Sequence, residues 1–99
     1  MEGTEGAGGA VAGEPGDLAK LRNVGPVSAA RLREVGIRTP GELRQVGAVE
    51  AYLRLRRAFP AQTTEMALYA LHGALTGVRW YELSPELRAA LRDAVNRRL

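Results

Sequence analysis

The amino-acid sequence predicts a small all-α fold. From residue 17 onward, apolar residues recur at helical spacing, and no segment shows the alternation of apolar and polar residues that is typical of a strand. Glycine and proline divide this region into short segments. A chain of 99 residues has room for one hydrophobic core. We therefore predict a single domain of five to six helices.

The first sixteen residues differ in composition from the remainder. They contain six Gly, one Pro and almost no large apolar side chain, so burial could not offset the entropy lost on ordering them. We predict a flexible Gly-rich leader over residues 1–16 and a helical domain over residues 17–99, standing alone behind this leader.

The domain is predicted to begin with two short helices. Asp17 can cap a first helix over residues 18–21. Pro26 suits the first position of a second helix, which extends to Val35, because proline lacks the N–H group that would be unpaired there. Gly36 is expected to end this helix in the left-handed conformation.

A third and a fourth helix are predicted on either side of Gly47. Thr39 and Glu42 have the spacing of a capping box, so a helix is expected over residues 40–46. Gly47 should end it, and residues 48–58 then form an amphipathic helix. The apolar face of that helix consists of Ala48, Tyr52, Leu55 and Phe59.

Two further helices complete the predicted domain. Residues 64–76 are apolar on nearly every side, which indicates the central buried helix, and Gly77 should end it. His72 lies on its one polar stripe and is expected at the surface. Ser84 should cap the sixth helix, whose predicted inner stripe is Leu87, Ala90, Leu91 and Ala94.

The chain contains an internal duplication. Residues 21–32 and 43–54 align at an offset of 22 residues with six identities in twelve positions. Each copy reads as a helix, a tight turn with a central glycine, and a second helix. The sequence therefore predicts two tandem helical hairpins. The identical pairs are Leu21/Leu43, Arg22/Arg44, Val24/Val46, Gly25/Gly47, Val27/Val49 and Ala29/Ala51.

The first hairpin is the stronger candidate for binding phosphate. A glycine before a helix allows a tight turn and brings main-chain N–H groups together at the positive end of the helix dipole. If Gly25 has a positive φ, Gly25→Val should destabilise the fold by about 1–3 kcal/mol. The predicted nucleic-acid-binding residues are Arg22, Asn23, Gly25, Pro26, Val27, Ser28 and Arg31.

The second hairpin is a weaker candidate for the same contact. Its corresponding residues are Arg44, Gly47 and Ala48. Glu50 places a negative charge where a phosphate would lie, so this hairpin should contribute less to binding.

Charge favours an anionic partner. Residues 17–99 carry 14 basic against 8 acidic side chains, and 13 of the 14 are arginine. Arginine suits forked contacts with phosphate, although the same composition also fits solvated helix faces. Trp80 and Tyr81 are expected either to anchor the last two helices in the core or to form a partner surface.

Composition also limits the kinds of chemistry that the chain supports. There is no cysteine and only one histidine, so we expect no disulfide, metal site or cofactor. No Ser/His/Asp set or phosphate-binding Walker loop is present, which argues against an enzyme. No apolar run is long enough to cross a bilayer, and no secretory signal is present, so we expect a cytoplasmic protein with no membrane partner.

Two resemblances refine the prediction. The segment LAKLRNVGPVSA is similar to the helix-hairpin-helix motif of DNA-binding proteins, with Asn23 where the motif usually has glycine and Val27 where it usually has a basic residue. Over about Leu18–Leu91, the chain resembles the C-terminal domain of the TfoX/Sxy competence regulators of bacteria. The segments that carry this resemblance are LRNVGPVSAARLREVGIRTPGELRQVGAVEAYLRLRRAFP and LYALHGALTGVRWYELSPELRAAL.

The competence-regulator resemblance implies a helical domain related to helix-hairpin-helix folds. It also implies a role in switching on DNA-uptake genes together with the cyclic-AMP receptor protein. Weak, sequence-tolerant binding of double-stranded DNA, or contact with a DNA-bound transcription factor or polymerase, is therefore expected. The alternative is a protein-interaction module with no nucleic-acid contact, and a homodimer is compatible with either function.

Overall fold

The computed structural model describes residues 18–99, which form an all-helical domain without strands. This confirms the predicted fold class. The predicted count of five to six helices and the two tandem hairpin units are not confirmed. The predicted leader over residues 1–16 and the Asp17 cap lie outside the described residues. The elements within 18–99 are α1 (Pro26–Glu34), α2 (Pro40–Ala58), α3 (Glu65–Thr76), a 3₁₀ turn (Trp80–Glu82) and α4 (Pro85–Arg98).

Helix α1 ends where the sequence predicts. Gly36 follows the helix with φ of 88°, a left-handed conformation that glycine adopts without steric cost. The N–H of Ile37 then donates to the carbonyl oxygen of Leu32 at 2.9 Å. Both side chains are fully buried, so the Schellman-type end of α1 also fixes the chain to the core.

Helix α2 consists of two helical segments that meet at a kink at Gly47. Its start follows the predicted cap, since Thr39 Oγ1 accepts from the N–H of Glu42 at 3.0 Å. The carboxylate of Glu42 accepts from the N–H of Arg38 at 2.6 Å, one residue before the position expected for a capping box. At Gly47, φ of 84° and ψ of 164° interrupt the helical backbone. The predicted break at Gly47 is therefore confirmed, as an interruption of the helical backbone within the span of α2.

Helix α3 is the central element of the core, as predicted. It packs against α2, the 3₁₀ turn and α4. Leu68, Leu71 and Ala74 are buried on it, and Gly77 ends it with φ of 78°. The apolar residues of this helix therefore join the hairpin half of the chain to the C-terminal half.

Helix α4 covers one side of this core. Ser84 Oγ accepts from the N–H of Leu87 at 3.1 Å, which confirms the predicted cap. The predicted inner stripe needs correction because Ala90 is exposed while Val95 is buried with Leu91. The buried row advances by four residues per step, so that side chains stack on one helix face.

Candidate nucleic-acid interface

The first hairpin turns at Asn23 rather than at Gly25. Asn23 has φ of 69°, in the left-handed region that asparagine enters more readily than most residues. Gly25 is extended, with φ of −111° and ψ of −172°, and is the N-cap residue of α1. The condition of a positive φ at Gly25, on which the predicted loss of stability for Gly25→Val depends, is therefore not met, and the positive φ of this turn lies two residues earlier at Asn23.

The start of α1 is open. Within residues 18–99, no side chain caps it, and a Cβ added to Gly25 would meet no atom within 4 Å. Pro26, Val27 and Ser28 are all exposed. The first-turn N–H groups of a helix have no acceptor inside the helix, so this end of α1 presents donors and a positive dipole end to an incoming anion.

The side chain of Asn23 points into the domain. Its Nδ2 donates to the carbonyl oxygens of Val78 at 2.9 Å and Ala70 at 3.3 Å. Its Oδ1 accepts from the N–H of Trp80 at 3.2 Å. The side chain of Asn23 therefore joins the hairpin to the end of α3 and the 3₁₀ turn, and it is engaged away from any ligand at the start of α1.

The two arginines assigned to the first hairpin have different surroundings. Arg22 is exposed in the turn. Arg31 is half-buried, and its guanidinium carbon lies 5.7 Å from the centre of the Phe59 ring, within the range of a cation–π contact. Arg22 is thus the more available of the two for a phosphate, while Arg31 also packs α1 against the end of α2.

The second hairpin gives less access to its backbone. Arg44 is exposed, but Ala48 is buried against the core. Gly47, at the kink, is half-buried. The residues that the duplication pairs with the open start of α1 therefore lie within a bent helix, and their backbone conformation differs from that at Gly25.

Glu50 is the centre of an arginine cluster. Its carboxylate is 2.7 Å from Arg54 Nε and 3.9 Å from Arg57 Nη2, and it also pairs with Arg98 of α4. The hydrogen bond from Arg54, followed by that from Arg98, lowers the pKa of the Glu50 carboxyl group. The negative charge at Glu50 is therefore compensated inside the domain, and the contact ties α2 to α4.

The Glu50 cluster predicts a stability that depends on pH. Because the pKa of Glu50 is lower in the folded than in the unfolded state, its ion pairs stabilise the fold above the unfolded pKa of about 4.3 and are lost as pH falls through the folded pKa. Glu50→Gln should lower stability at pH 7 by about 1 kcal/mol or less, since the arginines are largely solvated. Thermal melts from pH 7 to pH 3 should show that the difference in melting temperature between wild type and Glu50→Gln becomes smaller as the pH falls.

A double-mutant cycle tests the same contact directly. Glu50→Gln and Arg98→Gln together should cost less than the sum of the two single variants at pH 7. Purely additive effects, or a difference between wild type and Glu50→Gln that does not change down to pH 3, would contradict the proposed cluster.

Trp80 and Tyr81 diverge in their environments. Trp80 packs partly against the core, and its ring meets that of Tyr81 edge to face at 5.6 Å. Tyr81 is exposed, and its carbonyl oxygen accepts from Arg88 Nη2 at 3.3 Å. Trp80 is therefore an anchor of the core, and of the two only Tyr81 presents a large fraction of its surface to solvent.

The sequence did not indicate a polar contact between α3 and α4. The buried Tyr69 donates from its hydroxyl to Glu65 Oε1 at 2.9 Å and accepts from Arg92 Nη1 at 2.8 Å. Arg88 lies over the Tyr69 ring at 5.4 Å. By its spacing of three residues from His72, Tyr69 falls on the polar stripe of this helix, but its side chain is buried. A buried tyrosine needs a hydrogen-bond partner for its hydroxyl. The arginines of α4 are the feature of the sequence that could have indicated such a partner.

The described residues offer no metal site or membrane span. Within residues 18–99, no three His, Cys, Asp or Glu side chains come together in a way that could hold a metal ion. In the same part of the chain, no helix is both long enough and apolar enough to cross a bilayer.

Comparisons with known proteins agree with this architecture. The family model of the TfoX C-terminal domain matches residues 14–95. The crystal structure of an uncharacterized protein from Listeria monocytogenes, in a triclinic form, is 39% identical, with a TM-score of 0.71 over 76% of this chain and 84% of that chain. A tetragonal form of a Listeria monocytogenes protein of unknown function is also 39% identical, with a TM-score of 0.69 over 77% and 93%. No curated protein matches the chain.

Proposed function

Because the chain belongs to the TfoX C-terminal domain family, we propose that it is a non-enzymatic regulatory module that binds the phosphate backbone of double-stranded DNA through the start of α1. Family membership fits a regulatory domain related to competence. The proposed role is to assist transcription beside a DNA-bound regulator or polymerase. The proposal concerns phosphate contact, which positions a protein on a duplex without reading its sequence.

The observation that supports this contact most directly is the open N-terminus of α1. Gly25 carries no side chain to keep a phosphate at a distance, and no described side chain caps the first turn. Ser28 in the first turn and Arg22, three residues before Gly25, are exposed, and can add a hydroxyl donor and a positive charge. Main-chain N–H donors, the positive end of the helix dipole and a cation close in sequence together suit the binding of one phosphate group.

We predict weak, strongly salt-dependent binding that runs through the first hairpin. Neutralising Arg22 and Arg31 together should flatten the plot of log K against log salt by about two units if each contacts one phosphate. The loss should be similar for unrelated duplex sequences. Fluorescence anisotropy with short labelled duplexes at several salt concentrations measures this slope.

Controls separate this surface from general positive charge. Arg44→Gln and Arg79→Gln remove exposed charges of the second hairpin and of the segment before the 3₁₀ turn, and should affect affinity less. Glu50→Gln should leave affinity unchanged or raise it slightly, since it releases the arginines that Glu50 holds. No binding by the wild-type chain at about 50 mM salt and high micromolar protein would overturn the proposal.

A substitution at Gly25 separates binding from stability. Gly25→Ser places a capping hydroxyl at the start of α1 and should change stability by only a few tenths of a kcal/mol, in the favourable direction. The same hydroxyl would occupy a first-turn N–H group that the proposal assigns to phosphate, so DNA affinity should fall. Unchanged DNA affinity together with unchanged or higher thermal stability would show that the start of α1 is not the contact.

The alternative function, a protein-interaction module without nucleic-acid contact, also has an observation in its favour. Val27 is 62% exposed at the start of α1, where the helix-hairpin-helix motif usually carries a basic residue. An apolar side chain at that position contributes nothing to phosphate binding, but it can be buried by a protein partner.

A further inference from the structure

The outer side of α1 forms a groove that shares Arg31 and the start of α1 with the proposed DNA contact but is lined mainly by other residues. Val27, Ala30, Arg31 and Glu34 line it, at spacings of three and four residues that place them on one helix face. Phe59, which follows the end of α2, and Pro26, the first residue of α1, complete the lining. The groove has a volume of about 510 Å³. Pro26, Val27 and Phe59 make this lining apolar near the start of α1.

A second, more polar depression continues the groove. It has a volume of about 440 Å³, shares Ala30 and Glu34 with the first, and adds Arg33 and Arg38. Arg33 and Arg38 are both exposed. Along α1 the surface thus passes from an apolar end at Val27 and Phe59 to a basic end, with three arginines against one glutamate over its length.

Packing inside the domain does not account for the apolar end. Only Ala29 and Leu32 of α1 are buried in the core, on the face opposite to Val27. In the duplicated segment, the equivalent Val49 packs partly against the core, so the exposure of Val27 is not a property of the repeat. Val27 is moreover not isolated, because Pro26, Ala30 and Phe59 line the same groove beside Arg31. An apolar patch rimmed by polar residues is typical of a surface that a partner covers.

We propose that this groove, formed by α1 and Phe59, binds a short segment of a partner protein that presents one or two large apolar side chains followed by carboxylates. The apolar side chains would lie between Val27 and Phe59. The carboxylates would meet Arg33 and Arg38, the exposed cations at the other end. Charge complementarity selects an acidic segment, since a basic one would face the net positive side of the groove. The inference does not depend on the proposed DNA contact.

The test begins with selection from a random library. Peptides of roughly 12 residues, long enough to span three helical turns, are displayed on phage and panned against the full 99-residue chain. Enriched peptides should combine Leu, Ile, Phe, Met or Trp with Asp or Glu at a spacing of three to five residues. No enrichment, or enrichment of basic sequences, would overturn the proposal.

Variants then locate the binding site of the selected peptides. Val27→Ser should weaken binding about tenfold, the effect of losing the burial of one valine, while Met66→Ser, which removes another exposed apolar side chain, should leave it unchanged. Arg33→Gln with Arg38→Gln should weaken it about two- to fivefold at low salt, and Arg44→Gln with Arg79→Gln should not. Equal losses from the groove and control variants would overturn the assignment.

One substitution distinguishes this proposal from the DNA contact. Val27→Lys should abolish peptide binding and, by adding a cation at the start of α1, strengthen DNA binding if that contact exists. Peptide binding that survives Val27→Lys overturns the groove, whatever happens to DNA. Analytical ultracentrifugation tests whether the occupant is a second copy of this chain. If the wild-type chain self-associates and Val27→Ser removes this self-association, the proposed partner is overturned.

Discussion

Gly73→Ala is expected to lower the free energy of unfolding by about 2–3 kcal/mol. A Cβ on Gly73, which lies within α3, would clash with Asn23 Nδ2 and with the carbonyl oxygen of Val78. Relieving such a clash typically costs about 1–3 kcal/mol, and displacing Asn23 also loses hydrogen bonds worth about 1 kcal/mol each. The gain in helix propensity from alanine offsets only about 1 kcal/mol.

Chemical denaturation and thermal melting measure this effect. In a domain of this size, the expected loss corresponds to a fall of about 10 °C or more in the melting temperature. Gly41→Ala is the matched control, because its Cβ would meet only Thr39 Oγ1 at an ordinary 3.7 Å. Gly41→Ala should be neutral or slightly stabilising. Equal behaviour of the two variants would contradict the close packing described at Gly73.

The contribution of Asn23 to the loss of stability in Gly73→Ala can be measured with a double-mutant cycle. Asn23→Ala removes the three hydrogen bonds of the side chain and places alanine at a left-handed φ. Once Asn23 is gone, Gly73→Ala meets only the Val78 carbonyl and should cost less than it does in the wild-type chain. Additive effects would mean that Asn23 and Gly73 do not share one packing site.

Gly47→Ala is expected to lower the free energy of unfolding by about 2–3 kcal/mol as well, but for a different reason. With φ of 84° and ψ of 164°, Gly47 occupies a backbone region that residues with a Cβ rarely adopt. Nothing lies within 4 Å of an added Cβ, so backbone strain rather than contact would cause the loss. The kink would have to straighten or shift, which would disturb the packing of Ala48 behind it.

Gly25→Ala is the matched control for Gly47→Ala. The two glycines align in the duplication, and an added Cβ would meet no neighbour within 4 Å at either position. They differ in φ, which is −111° at Gly25. Gly25→Ala should therefore cost about 1 kcal/mol or less, as expected for a less suitable N-cap residue. A similar large loss for both would show that φ is not the cause.

Part of the candidate interface was predictable from local signals. Pro26 at the first position of α1 was expected. The left-handed conformation of Asn23 agrees with its position where the helix-hairpin-helix motif usually has glycine, since asparagine enters that region more readily than most residues. The role of the Asn23 side chain was not predictable, because its acceptors and its donor lie about 50 residues further along the chain. The compensation of Glu50 by Arg98 of α4 is likewise a contact between distant segments that no local pattern reveals.

The beginnings and ends of the helices follow from local signals, because caps, left-handed glycines and apolar spacing act within one or two turns. The stops at Gly36 and Gly77 and the caps Thr39 and Ser84 are of this kind. The difference between the two similar hairpins depends on long-range packing. Gly25 and Gly47 both follow a valine, although Pro26 comes after the first and Ala48 after the second. Gly25 begins an open helix, whereas Gly47 has a positive φ and interrupts the helical backbone inside α2. The difference arises because α3 and α4 bury the second segment against the core and leave α1 mostly exposed.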